Sequence, residues 1–260
     1  KERFLELIHD FIVFDKGVKK LCRPNQYFGI TAAHENVNNK QGGIIWHTQG
    51  SGKSLTMVFL TIKMRRDPEL RDYKLVFLTD RTQLDNQLTS TFSNTQGETI
   101  RHADSVKSLK ELLTSDASDI ITAMVQKFQE SADEFEFPVL NESEKIIVLA
   151  DEAHRTQYGA LGAAINTALP NAPRIAFTGT PLIKSQKTTS TFGSYIDTYT
   201  IEEAVKDGAT VQILYEGREA MLRVTGDSLD GLFDEYFVDY SEDEKAAIRT
   251  RSVVYYAGWW

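Results

Sequence analysis

"IIWHTQGSGKSLTM", residues 44–57, decides the fold. Two isoleucines and a tryptophan run into a glycine-rich turn that delivers Lys53 and Ser54 to a segment of helical character. Gly50 and Gly52 let the backbone curl so that successive N–H groups converge on phosphate oxygens. A helix beginning near Lys53 adds its positive end. In the pattern G-x-x-x-x-G-K-[ST] the lysine neutralises the β- and γ-phosphates of a nucleotide and the hydroxyl reaches Mg²⁺. Thr48, Gln49, Gly50, Ser51, Gly52, Lys53 and Ser54 are therefore the candidate phosphate-binding residues, with Ser54 as a metal ligand. His47 stands where that pattern has its first glycine. G-K-[ST] arises by chance in roughly one chain in eight of this length, so the strand–turn–helix setting carries more weight than the tripeptide.

Outward from this stretch, short apolar runs alternate with segments of helical period, the signature of a parallel sheet wrapped by helices. The pattern predicts strands at 43–47, 74–79, 119–124, 145–150 and 174–178, and helices at 53–66, 82–92, 106–114, 160–168 and 201–206. Each strand is apolar on both faces, as buried parallel strands are. Residues 2–18 read as one further helix, with Phe4, Leu5, Ile8, Phe11 and Ile12 on a common face. The acidic stretch 227–244 breaks the rhythm and leads out of the domain, with a helix expected at 242–251. The organisation expected is an N-terminal helix at 1–22, a phosphate-binding lobe at 23–218, and a connector at 219–260.

Bulk properties set limits. The 260 residues, 41% of them hydrophobic, suffice for a large core. No apolar run approaches the ~20 residues that span a bilayer, so no membrane partner is expected. A single cysteine, Cys22, cannot form an internal disulfide and suits the cytoplasm. The net charge of −8 excludes a wholly basic nucleic-acid coat but leaves room for a local basic track. The chain opens at Lys1 without a methionine, and a piece of a longer protein is expected.

A second motif, "KIIVLADEAH" (145–154), carries Asp151 and Glu152 to a strand end, the rim where open parallel sheets bind ligands. There Asp151 holds Mg²⁺ and Glu152 orients and deprotonates the attacking water. The tetrapeptide DEAH arises by chance in about one chain in seven hundred, so its pairing with the lysine loop is a strong signal. A third, "RIAFTGTP" (174–181), brings Thr178, Gly179 and Thr180 to the same rim. Hydroxyls there can sense the γ-phosphate and couple its loss to movement.

These three stretches, in this order, resemble motifs I, II and III of superfamily 2 helicases and translocases. "RPNQ" (23–26) resembles the family's upstream element, which implies that Gln26 reads the adenine edge. "LVFLTDRTQLDNQ" (75–87) resembles motif Ia, which touches the nucleic-acid backbone. Taken with "TAMVQKF" (122–128), "DEAHRTQYG" (151–159), "FTGTPL" (177–182) and "FGSYIDTYTIEEAVKDGATVQILYEGR" (192–218), the chain resembles the motor subunit of type I restriction enzymes from about Leu5 to Arg218. His47 is part of that family's version of the phosphate loop.

The resemblance implies a RecA-like, P-loop first helicase lobe: a parallel sheet with helices on both faces. It would use ATP and Mg²⁺ to translocate duplex DNA beside methylation and specificity subunits. His154, Thr178, Gly179 and Thr180 would couple hydrolysis to movement, and Arg81, Lys127 and Arg155, with Lys184 and Lys187 beyond them, would line the DNA track. The nuclease domain would precede Lys1, and the second lobe, with the arginine that completes the ATPase site, would follow Trp260. Competing readings are another superfamily 2 helicase or remodeller acting on DNA or RNA, a non-catalytic nucleotide-binding scaffold, and a small kinase or GTPase. Intact Lys53, Ser54, Asp151 and Glu152 oppose the scaffold, and the absence of an N-K-x-D guanine reader opposes the GTPase.

Overall fold

The computed structural model describes residues 2–15, 17–79, 100–124, 138–151, 158–180, 192–212 and 229–248. Two compact units are present, Lys1–Gln212 and Ile213–Trp260. In the first, helix α1 (Glu2–Asp10) leads to a hairpin of β1 (Ile12–Asp15) and β2 (Val18–Leu21). There follow α2 (Pro24–Asn38), β3 (Gly43–His47), α3 (Lys53–Arg66), β4 (Lys74–Thr79), β5 (Ile100–Ala103) and α4 (Val106–Thr114). The unit continues through β6 (Ile120–Met124), β7 (Ile146–Asp151), α5 (Tyr158–Ala168), β8 (Arg174–Thr178), β9 (Tyr195–Tyr199) and α6 (Ile201–Lys206). Seven strands form one sheet in the order β5-β6-β4-β7-β8-β3-β9, all paired in parallel among the described residues.

Two-sided burial explains the unbroken apolar runs: β4 and β7 are buried at all six positions. Side chains alternate across each strand. Leu75, Phe77, Ile147, Leu149, Ile175 and Phe177 enter a core with Ile30 and Val37 of α2 and Met57 and Phe59 of α3. Val76, Leu78, Val148, Ala150 and Ala176 join Leu109 and Leu113 of α4 and Ile165 and Ala168 of α5. Helices therefore cover both faces, as the sequence pattern predicts.

The sequence-predicted elements at 43–47, 53–66, 74–79, 106–114, 174–178 and 201–206 match the structure end to end. Two strands shift by one residue, which makes Asp151 the last residue of β7 rather than the first after it. The helix predicted at 82–92 lies outside the described residues.

The amino terminus is a correction. Residues 2–18 are not one helix: α1 stops at Asp10, and β1 and β2 pair as an antiparallel hairpin through Gly17, at φ +80°. The β-branched pair Ile12–Val13 favours strand over helix. Of the supposed core face only Phe11 is fully buried; Phe4, Leu5 and Ile8 are turned outward, 65%, 63% and 51% exposed. Instead the acidic side docks: Lys63 of α3 binds Glu6 at 2.7 Å and Asp10 at 3.4 Å, and Tyr27 donates to Glu6 at 2.7 Å. Beyond this hairpin, α2, β5 and β9 of the first unit also went unpredicted. The edge strands β5 and β9 mix exposed and buried positions, unlike the buried run expected of a central strand.

Cys22 is buried beneath this hairpin, and its N–H donates to the carbonyl of Phe11 at 3.2 Å. Burial, reinforced by the nearby Glu6 carboxylate, pushes its thiol from 9.0 up to about 11. The thiolate is the reactive form, so at pH 8 the folded chain should react with a disulfide reagent about a hundredfold more slowly than the unfolded chain. Thiol-labelling rates with and without denaturant check this. Because the folded value is raised, the same shift costs stability as pH climbs through 9 toward 11.

The second unit contains α7 (Leu229–Tyr236) and a helix over 242–248, where the predicted one begins. The acidic stretch thus holds a helix where none was expected, with the Phe233 and Phe237 rings 4.7 Å apart. No helix among the described residues is long and apolar enough to cross a membrane.

Candidate functional site

The turn between β3 and α3 has the form a phosphate needs. Gly50 and Gly52 take φ of +81° and +88°, which curl the chain back on itself at little steric cost. Thr48 N–H is held by the carbonyl of Tyr199 at 3.0 Å, and Ser51 N–H by the carbonyl of Thr48 at 3.3 Å. Gly52 is the N-cap of α3, no side chain caps the helix, and no acidic residue lies in its first turn. An uncapped first turn with its positive dipole end attracts an anion. Lys53 is buried and its Nζ donates to the carbonyl of His47 at 3.3 Å. Ser54, half-buried, opens the same helix.

Three strand ends meet beside this cradle. β8 lies between β3 and β7, with Trp46 level with Thr178 and Phe177 level with Asp151. The cradle and Asp151 therefore sit on one rim, two strand spacings or about 10 Å apart. Asp151 is 7% exposed. Gly179 closes the gap: a Cβ built there would lie 3.0 Å from Lys53 Nζ and 3.0 Å from Gln49 Cγ. Thr178 is fully buried, and its hydroxyl accepts the N–H of Thr180, itself exposed, at 3.2 Å. Glu152, His154, Arg81, Lys127, Arg155, Lys184 and Lys187 lie outside the described residues.

The residues present fit a metal-bound polyphosphate. Ser51 Oγ is buried inside the cradle with no hydrogen-bond partner among the described residues, an arrangement that a phosphate oxygen relieves. The hydroxyl of Ser54 and the carboxylate of Asp151 are the hard oxygen donors that Mg²⁺ prefers.

Two buried side chains brace the cradle from below. Gln26 is 2% exposed; its Nε2 donates to Gly52 O at 3.0 Å, and its Oε1 accepts the N–H of Arg23 at 2.8 Å. One amide thus caps α2 and ties it to the glycine-rich turn. His47, also fully buried, places Nε2 2.6 Å from Asp197 Oδ2, with the ring edge-on to Tyr199 at 5.8 Å. Gly29 of α2 leaves room for this pair, since a Cβ would stand 3.0 Å from Asp197 Oδ2 and 3.1 Å from His47 Cε1 and press both side chains aside. His47 therefore serves as a side-chain anchor where the general pattern has a bare turn. Sequence reasoning missed Asp197 and Tyr199, which carry no spacing rule; the stretch 192–218 singled out by resemblance was the available signal. Burial and the Asp207 carboxylate, 3.1 Å from its hydroxyl, raise the Tyr199 phenol above its ordinary range.

A family model described as SWI2/SNF2 ATPase matches residues 25–246. The MjaIXP endonuclease subunit of Methanocaldococcus jannaschii, a type I restriction enzyme component, is 39% identical over 246 residues, 90% of this chain and 23% of its own length. The type I restriction enzyme HindI endonuclease subunit of Haemophilus influenzae is 34% identical over 279 residues, 96% of this chain and 26% of its own length. The chain thus spans about a quarter of the length of the curated relatives it matches. Among solved structures, the Sulfolobus solfataricus SWI2/SNF2 ATPase core in complex with dsDNA superposes with a TM-score of 0.50 at 17% identity, over 77% of this chain and 40% of that one. The Type ISP restriction-modification enzyme LlaBIII bound to DNA gives 0.52 at 19%, over 73% of this chain and 16% of that one. At such identities these two show the shared fold, a RecA-like lobe. With the phosphate cradle and the acidic strand end on one rim, and the family match running through both, the chain belongs to the SWI2/SNF2 ATPase family, and its curated homologues at 34–39% identity are endonuclease subunits of type I restriction enzymes.

Proposed function

We propose that this chain is the first motor lobe of a type I restriction endonuclease subunit, binding Mg·ATP and coupling its hydrolysis to movement along duplex DNA. One observation carries the reading: Lys53, Gly179 and Asp151 converge at the carboxyl rim of a parallel sheet, with β8 interposed between β3 and β7. In this reading the lobe spans 23–218, and 219–260 connects it onward. It works in the cytoplasm with methylation and specificity subunits. Two neighbours of the same fold solved with DNA, one of them with dsDNA, support duplex DNA as the partner.

Each residue has a physical task. Lys53 exchanges the carbonyl of His47 for phosphate oxygens, moving its charge a short distance rather than across the site. Thr48, Gln49, Gly50, Ser51 and Gly52 wrap the phosphates, and Ser54 and Asp151 hold Mg²⁺. When bound, the ion supplies charge neutralisation to the β- and γ-phosphates. Gln26 selects adenine, since both its amide atoms keep capacity for a second hydrogen bond. Glu152 takes the proton of the attacking water, and Thr178, Gly179 and Thr180, with His154, report loss of the γ-phosphate. Arg81, Lys127 and Arg155 contact DNA phosphates.

The catalytic arginine of such two-lobed sites lies on the other lobe, and its lack costs ~10³ or more in rate. The 260-residue chain should therefore bind Mg·ATP weakly and hydrolyse it scarcely at all. Duplex DNA binding should fall steeply as salt rises, because each phosphate contact releases a counterion. Calorimetric titration, phosphate release and fluorescence anisotropy over a salt series test this. Robust DNA-stimulated turnover by the isolated chain, or salt-insensitive binding, would refute it, and a preference for RNA would move it to another helicase group.

A further inference from the structure

We propose that Asp197, on the edge strand β9, is a positioning residue for the phosphate cradle that acts through His47; the inference rests on the nucleotide reading above. His47 is the last residue of β3, and its carbonyl receives the Lys53 ammonium. Its imidazole is enclosed on several sides, by Tyr199 and Asp197 of β9 and by Gly29 of α2. Among the described residues one hydrogen bond orients the ring: Nε2 meets Asp197 Oδ2 at 2.6 Å, whereas buried Nδ1 has no partner among them.

Strand register explains the pairing. Ile45 is level with Asp197 and His47 with Tyr199, so Asp197 and His47 are diagonal neighbours on one face. The next residue is tied to the same strand, since Thr48 N–H donates to the carbonyl of Tyr199. β9 thus grips both sides of the point where strand becomes phosphate loop. Asp197 is the outer end of a short relay: its carboxylate, 25% exposed, holds the imidazole, and the backbone of that residue holds the lysine.

Without the carboxylate, a buried imidazole N–H has no acceptor, and satisfying it requires the ring or the end of β3 to shift. The carbonyl facing Lys53 then moves too, and the loop spends less time in the shape a nucleotide recognises. Apparent affinity falls by that lost fraction. About tenfold is expected for Asp197→Ala, the scale at which outer partners matter when they orient metal-binding imidazoles. Asparagine keeps an oxygen that accepts from Nε2–H, so Asp197→Asn should restore most of the affinity.

The test uses the 260-residue chain with Asp197→Ala, Asp197→Asn and Lys53→Ala. Mg·ATP affinity is read by calorimetry, and hydrogen exchange of the peptide over 47–57 is read without nucleotide. Supporting outcomes are weaker binding and faster loop exchange in the alanine variant, with recovery of both in asparagine. Wild-type affinity in Asp197→Ala overturns the inference, as does equal loss in both variants or weaker binding with unchanged loop exchange. If the alanine variant fails to fold, Asp197→Ser, too short to reach Nε2, takes its place. Unchanged binding in Lys53→Ala defeats the nucleotide reading itself. Loss in Lys53→Ala beside wild-type behaviour in Asp197→Ala defeats the relay alone.

Discussion

Replacing Lys53 with alanine should lower the affinity of this chain for Mg·ATP on the order of a hundredfold or more, the worth of two charge-assisted bonds to phosphate at about 1.5–3 kcal/mol each. The estimate is discounted for one exchange, because the ammonium already donates to the carbonyl of His47 and gives up that bond when phosphate arrives. The loss should come without unfolding. Lys53 is 9% exposed, so its charge is held out of water at a cost that alanine removes. A melting temperature near that of the wild type beside a near-complete loss of calorimetric signal is the expected pair of results. Affinity within threefold of wild type would show that the cradle does not bind phosphate.

The second large effect concerns stability. Changing Gly42 to alanine should destabilise the fold by about 3 kcal/mol, the upper part of the range for overpacked sites. For a lobe of this size that corresponds to a melting temperature roughly 6–12 °C lower. An added Cβ would lie 2.4 Å from the carbonyl oxygen of Arg174, 2.9 Å from that of Phe192 and 3.0 Å from the Arg174 nitrogen. All three are backbone atoms, so no side chain can swing aside. One residue on, Gly43 pairs with Ile175 of β8, and its own Cβ would stand 2.3 Å from Ile196 Cγ1. The chain thus enters β3 through a slot between β8 and β9 that only glycines fit. Gly162 supplies the contrast: it lies within α5 with nothing near its Cβ position. Alanine there should stabilise by about 0.5–1 kcal/mol by restricting the unfolded chain. Thermal melts of the two variants compare directly, and a Gly42→Ala chain as stable as wild type would contradict the packing described.

What was legible in the sequence follows from where each element lies. Central strands buried on both faces write themselves as uninterrupted apolar runs, so β3, β4 and β8 were predicted end to end. The edge strands β5 and β9 write a mixed pattern and were missed. Helix α2 was missed too, because it mixes buried Tyr27, Ile30, Ala33 and Val37 with buried Gln26 and Gly29 and shows no clean apolar stripe. α1 misled in the opposite sense. Its apolar face suggested core, yet Glu6 and Asp10 dock on Lys63, a partner that cannot be seen from residues 2–10 alone.

Local order alone determined the glycine-rich turn before α3, the acidic strand end and the parallel α/β class. In each of these the chemistry belongs to residues adjacent in the chain, and a glycine spacing or an apolar run records it. Only tertiary structure decided that Gly179 lies against Lys53, that Gln26 is bonded to Gly52, and that Asp197 holds His47. Strand order in the sheet brings distant parts of the sequence to one rim, and such contacts follow from packing and register rather than from any local period.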